Sequence, residues 1–232
     1  MKSVTQKFQN LLKSTYNRDK VAKLFQYFYR FMIYYRQDVC NNKEEAKRME
    51  TISSHISLGR KLFRLGRFVH EYETIINFFQ NQLNNAGVNE WINLVKFICI
   101  SKYWVFDNLF WLCKVGIYKG GDLEKFKKLS YFFWFLSALF AFIQSIIKVQ
   151  VNYIATSKAL KENNKESLKK QNSERTDVIL NFIKTVCDMF LALSFCIQLK
   201  IFPQLFSTGN RSIGLFGVVS SITDLKLVWK SL

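Results

Sequence analysis

The sequence predicts an all-α, membrane-associated protein, and three observations predict it. One Pro and nine Gly punctuate 232 residues, too few turn formers for a chain of short strands. Apolar residues recur at intervals of three and four, the period of a helix. Residues 129–147 carry no charge and include seven aromatics (Tyr131, Phe132, Phe133, Trp134, Phe135, Phe140 and Phe142). As a helix that run reaches roughly 28 Å, close to the thickness of a bilayer core. The expected architecture has N-terminal amphipathic helices in residues 1–122. One or two membrane-embedded helices follow in residues 123–232, with a polar linker at 157–177.

Thirty-four Lys and Arg against 17 Asp and Glu give a formal charge of +17. That balance suits an anionic partner, a phospholipid surface or nucleic acid. The uncharged run decides for the membrane, and no nucleic-acid partner is expected. With 49% apolar and 16% aromatic residues, collagen-like, disordered and disulfide-scaffold proteins are excluded.

Helices are expected in chain order. The first spans residues 19–35, with Asp19 as N-cap or first-turn acid and a stripe of Val21, Phe25, Phe28, Met32 and Tyr35. Residues 37–50 read as a loop or a solvated helix. A second helix runs from 53 or 54 to 79, and the Asn84–Gly87 stretch is a turn signal. A third spans 89–117 and ends before Gly120 and Gly121, after which Asp122 caps the fourth. Lys125, Lys127 and Lys128 precede the uncharged run and Lys148 follows it. A fifth, at 178–202, is interrupted by Lys184, Asp188 and Lys200. Lys184 and Asp188 are four apart and suited to pair, and Pro203 ends the helix. Gly214 and Gly217 in an apolar setting permit close helix contact.

The five cysteines have no Cys-x-x-Cys spacing and read as small buried apolar groups in a reducing compartment. The first ten residues are too polar for the apolar core of a secretory signal, so the chain is expected to start in the cytosol. The ending Lys230-Ser231-Leu232 holds the residues of a peroxisomal import tripeptide in another order. Receptors read order, so it carries no weight.

Residues 58–76 form the most suggestive pattern. On a helical wheel Leu58, Leu62, Leu65, Val69, Tyr72 and Ile76 share an arc of about 80°. Arg60, Arg64, Arg67 and Glu71 cluster opposite, with Lys61 at the margin. Such a helix lies in the headgroup plane of an anionic bilayer, its apolar face in the acyl boundary and Arg60, Lys61, Arg64 and Arg67 on lipid phosphates. Periodicity alone equally permits the stripe to pack into a bundle with solvated arginines.

Four blocks of residues resemble the peroxin-11 family of peroxisomal membrane elongation proteins. Ser57, Arg60, Lys61, Phe63, Arg64, Gly66 and Arg67 match its Ser-x-x-Arg-Lys-x-Phe-Arg-x-Gly-Lys/Arg signature. Arg18, Asp19 and Lys20, followed by Gln26 and Tyr27, match its opening block, with Asn17 where Gly is usual. Asp107, Trp111 and Gly116 match a third block, and Gly214, Gly217, Ser220 and Ser221 a fourth. The resemblance implies a peroxisomal membrane protein with both termini cytosolic. It further implies that the amphipathic helix tubulates membrane before division and that the protein self-associates. It also implies links to dynamin-related fission machinery or to a metabolite pore, the alternative function. For a pore, Lys184, Asp188 and Gln144 would face a lumen.

No phosphate-loop motif, His-Glu-x-x-His or Gly-x-Ser-x-Gly is present. His55 and His70 have no partner at metal-ligand spacing. The expectation is a non-enzyme without metal or cofactor.

Overall fold

A computed structural model describes residues 3–163, 165–204 and 208–231. Among these residues there are eight α-helices and no strand. They are α1 (Val4–Lys13), α2 (Thr15–Tyr34), α3 (Lys43–Leu62), α4 (Phe68–Asn81), α5 (Val88–Lys114), α6 (Leu123–Lys161), α7 (Lys165–Gln198) and α8 (Asn210–Ser231). Met1, Lys2, Asn164 of the expected linker and Leu232 of the terminal tripeptide lie outside the described residues.

Local chemistry sets many of the helix ends. Ser3 and Gln6 exchange hydrogen bonds in a capping box that starts α1. The Asn42 side chain accepts from the Glu45 amide at 3.0 Å and starts α3. The Asp122 carboxylate accepts from the Lys125 amide at 2.9 Å and starts α6, as expected. At the end of α5, Gly116 adopts φ +82°. Its amide donates to Cys113 O, and the Ile117 amide donates to Leu112 O. This is a Schellman closure, for which a residue lacking Cβ is suited.

Several boundaries differ from expectation. Asp19 does not cap a helix, because α2 begins at Thr15 and places Asp19 inside it. The 37–50 stretch divides into a five-residue π turn, Tyr35–Val39, and the first turns of α3. The expected linker at 157–177 is helical on both sides of residues 162–164. Its charged side chains are solvated along α6 and α7, so lack of apolar periodicity did not mean lack of helix. The expected helix from 53 to 79 is two helices. Between Leu62 and Phe68 the backbone turns through bonds from Arg64 N to Lys61 O and Leu65 N to Leu62 O. Gly66 there has φ +71°, a conformation outside the right-handed helix.

The helices pack as a ring. Helix α2 lies along α8 and α3, α8 on α7, α7 on α6 and α6 on α5. Helix α3 reaches back to α5, and α4 also packs on α5. The glycines of α8 make its approach to α2 possible. A Cβ on Gly214 would fall 2.6 Å from Phe31 N, and one on Gly217 would enter the Tyr27 ring. A small apolar core of Tyr27, Leu191, Phe195 and Ile213, flanked by Tyr131 and Trp134, fills one part of the interior.

Three helices, α6, α7 and α8, are long and apolar enough to cross a membrane, where one or two were expected. The apolar stretches that qualify them are only 22%, 33% and 39% buried within the protein. The remaining residues of these stretches keep part of their surface facing outward, where lipid rather than water would solvate it.

Candidate functional site

In α2 and in the segment 58–76 charged side chains turn inward and apolar ones outward. Along α2 the residues Asp19, Lys23 and Gln26 recur at helical spacing and are buried, while Phe25 and Phe28 are 52% and 47% exposed. The expected stripe of Phe25, Phe28 and Tyr35 therefore faces out. The segment 58–76 follows the same rule. Leu62, Leu65, Val69, Tyr72 and Ile76 are exposed and Leu58 is half-buried, whereas Arg60, Arg64 and Glu71 are buried. The wheel separates the two faces as the structure does, but Arg60 and Arg64, expected on lipid phosphates or in solvent, are turned inward.

Two groups of ion pairs occupy this interior. In the first, Arg60 Nε donates to Asp19 Oδ1 at 2.8 Å and Nη1 donates to Gln26 Oε1 at 2.7 Å. Lys61 Nζ donates to Asp107 Oδ1. Arg64 places Nη2 3.3 Å from Asp107 Oδ2, and its Nη1 donates to the Tyr103 hydroxyl at 2.7 Å. Burial alone would raise the Asp19 and Asp107 carboxyls. The cations outweigh it, Arg60 and Arg64 at Asp19, Arg64 and Lys61 at Asp107, and hold both below the ordinary range. Burial raises the Tyr103 phenol, which stays a neutral hydroxyl beside Arg64.

In the second group, Lys20 Nζ donates to Asp224 Oδ2 at 2.8 Å. Lys23 Nζ donates to Asp188 Oδ1 at 2.9 Å and to Ser220 Oγ at 2.6 Å, and Ser220 Oγ donates to Asp188 at 2.5 Å. Lys184 Nζ sits 3.0 Å from Asp224 Oδ1. The expected pairing of Lys184 with Asp188 is thus replaced by pairing of both residues with other helices. Gln144, the third lumen candidate, accepts from Lys96 Nζ at 2.8 Å.

Both groups border one cavity of about 270 Å³. Besides the pore candidates Lys184 and Asp188, the motif residues Asp19, Lys20, Gln26, Tyr27, Ser57, Arg60, Lys61, Arg64, Arg67 and Asp107 line it. They come from three blocks far apart in the chain. Gly214 and Gly217, from the fourth block, seat α8 against α2. Arg18, Trp111 and Gly116 are not part of the lining. Arg18 is exposed and lies over the Phe63 ring at 6.0 Å, Trp111 is half-buried in α5, and Gly116 closes that helix. Sequence reasoning named Gln26 and Ser220 only as motif positions and passed over Trp104 and Asp224. For Gln26, Ser220 and Asp224 the signal was spacing. Residues 19, 23 and 26 make one polar face of α2, and 217, 220 and 224 make the facing stripe of α8.

His55 and His70 are exposed. Among the described residues, Cys99, Cys187 and Cys196 are buried, Cys113 is half-buried, Cys40 is exposed, and all five are free thiols. No three His, Cys, Asp or Glu are placed to hold a metal ion among the described residues.

Buried charge inside, apolar helix faces outside and three helices of spanning length define a helical integral membrane protein. Residues 5–229 match Peroxisomal biogenesis factor 11 (PEX11), and the chain belongs to that family. It is 23% identical to "Peroxisomal membrane protein PMP30B" of Candida boidinii, covering 98% of this chain and 95% of that protein. It is 22% identical to "Peroxisomal membrane protein 11A" of Homo sapiens, over 94% of each chain. It is 24% identical to "Peroxisomal membrane protein PMP27" of Saccharomyces cerevisiae, over 99% of this chain and 95% of that one. No solved structure matches. The family is one of membrane biogenesis proteins and is not known as a family of enzymes.

Proposed function

We propose that this protein resides in the peroxisomal membrane and elongates it ahead of division by wedging the outward apolar faces of α3 and α4 into one leaflet. The observation that carries this reading is the exposure of Leu62, Val69 and Tyr72, at 53%, 58% and 59%, over a face whose charges are turned inward. Burying such a face in acyl chains is favourable by about 25 cal/mol per Å². Insertion from one side expands that leaflet and bends the bilayer.

The arginines act differently from a headgroup clamp. Arg60, Lys61 and Arg64 are engaged by Asp19 and Asp107 and brace the segment from behind. Attraction to anionic lipid then comes from exposed cations such as Lys125 and Lys128 and from the net charge of +17. Both termini on the cytosolic side, self-association and recruitment of dynamin-related fission machinery complete the proposal. A pore has less support, because Lys184, Asp188 and Gln144 are each paired with another helix.

The test uses the full chain reconstituted into vesicles of phosphatidylcholine with phosphatidylserine. Electron microscopy should show tubules with the natural sequence and spheres with Leu62→Asp combined with Val69→Asp. Circular dichroism should show equal helicity for both. Tubules formed equally by the double variant, or by neither protein, would reject the wedge.

A further inference from the structure

The ion pairs do not use up the positive charge around the cavity. Seven cationic side chains line it against four carboxylates. Asp224, paired with three of the lysines, makes five, and two positive charges remain in excess. Arg67 is the cation without a carboxylate partner among the described residues. Its guanidinium lies over the Tyr16 and Trp104 rings at 4.4 and 4.7 Å. Beside it Trp104, 7% exposed, has a buried Nε1 with no hydrogen-bond partner. An unpaired buried donor costs free energy, and an excess of positive charge within low-dielectric walls attracts an anion.

We propose that this cavity binds a phosphate monoester, carried by a lipid headgroup of the phosphatidic acid kind or by a small soluble molecule. A phosphate monoester carries a charge of about −1.5 to −2 at neutral pH and three strong acceptor oxygens. It matches the two-charge excess, where a lone carboxylate would leave half of it. Arg67 and the Trp104 Nε1 supply donors, and the remaining donor capacity of Arg64 and Lys61 backs them. The volume of about 270 Å³ falls just under the roughly 300–1,000 Å³ of drug-sized sites. It admits a small ester or one headgroup and excludes a dinucleotide. Exposed Tyr16 and half-buried Arg67 mark the mouth, and Glu71, which also lines the cavity, opposes the anion.

The experiment measures binding of radiolabelled inorganic phosphate to the purified full chain in phosphate-free maltoside micelles. Binding should be saturable. Arg67→Gln, which breaks no ion pair, should weaken it roughly 10- to 100-fold, the worth of one charge-assisted hydrogen bond. Glu71→Gln should tighten it. Phosphatidic acid added to the micelles distinguishes the sources, with oleate as an anionic lipid lacking phosphate. Competition by phosphatidic acid beyond that of oleate assigns the site to a headgroup, and equal competition assigns it to a soluble phosphate. Either result supports the site. Absence of saturable binding, or affinities unmoved by both substitutions, overturns it.

Discussion

The two groups of buried ion pairs share one interior but hold different parts of the molecule together. In the first, Asp19 and Asp107 hold Arg60, Lys61 and Arg64, and every member lies on α2, on α5 or at the end of α3 and its following turn. In the second, Asp188 on α7 and Asp224 on α8 hold Lys20 and Lys23 of α2. Helix α2 takes part in both, through Asp19 in the first and Lys20 and Lys23 in the second. The first group closes the N-terminal helices upon themselves, and the second docks them onto helices of spanning length. A buried ion pair is weak as a source of stability, because desolvation offsets the attraction, but it penalises wrong registers and loss of one partner heavily. Here the pairs specify which helix meets which, on a surface whose apolar outside would fit many arrangements.

Removing a charge from the first group should have the largest effect. Asp107 is 1% exposed and answers both Lys61 and Arg64. Asp107→Ala leaves two buried cations facing each other and should cost about 3–5 kcal/mol. Thermal unfolding in detergent would read the loss. Hydrogen exchange should rise in α3 and α5 ahead of α8. Asp224→Ala sharpens the contrast. Lys23 keeps Asp188 and Ser220, but Lys20 and Lys184 lose their carboxylate. Their side chains are 14% and 23% exposed, so water hydrates part of the orphaned charge and the cost lies at the lower end of the same range, about 3 kcal/mol. Its hydrogen exchange should rise along α2 and α8 instead. Identical exchange patterns in the two variants would mean that the groups are one network without separate duties.

What was legible in the sequence follows from the same contrast. Helices with a continuous apolar run or a side-chain cap could be read directly, as with residues 129–147 and Asp122. The separation of faces in 58–76 was legible too, because periodicity depends only on geometry. The direction each face points was not. A wheel does not state whether the solvent is water or acyl chain, so the arginines were assigned to the outside. The break at Gly66 was hidden for a related reason. A single glycine in a helical pattern carries a small penalty, and only the contacts of Arg60, Lys61 and Arg64 with two different helices reveal the turn. Asp224 shares a helical stripe with Gly217 and Ser220, but its partners on α2 lie about 200 residues away in the chain, so spacing could not say what it would meet.

An exposed ion pair marks the low end of the scale. Lys230 and Asp177 join the last turn of α8 to α7 at 2.6 Å, shorter than Lys20–Asp224 at 2.8 Å. Distance alone would rank it above the buried pair. Its side chains are 56% and 42% exposed, so solvent screens the attraction and hydrates either charge when the other is removed. Lys230→Ala should therefore shift stability by less than about 1 kcal/mol, and added salt should abolish even that difference. If it instead destabilised the protein as much as Asp224→Ala, burial would not be what gives the interior pairs their weight. Specification of helix partners would then have to rest on the glycine contacts between α2 and α8.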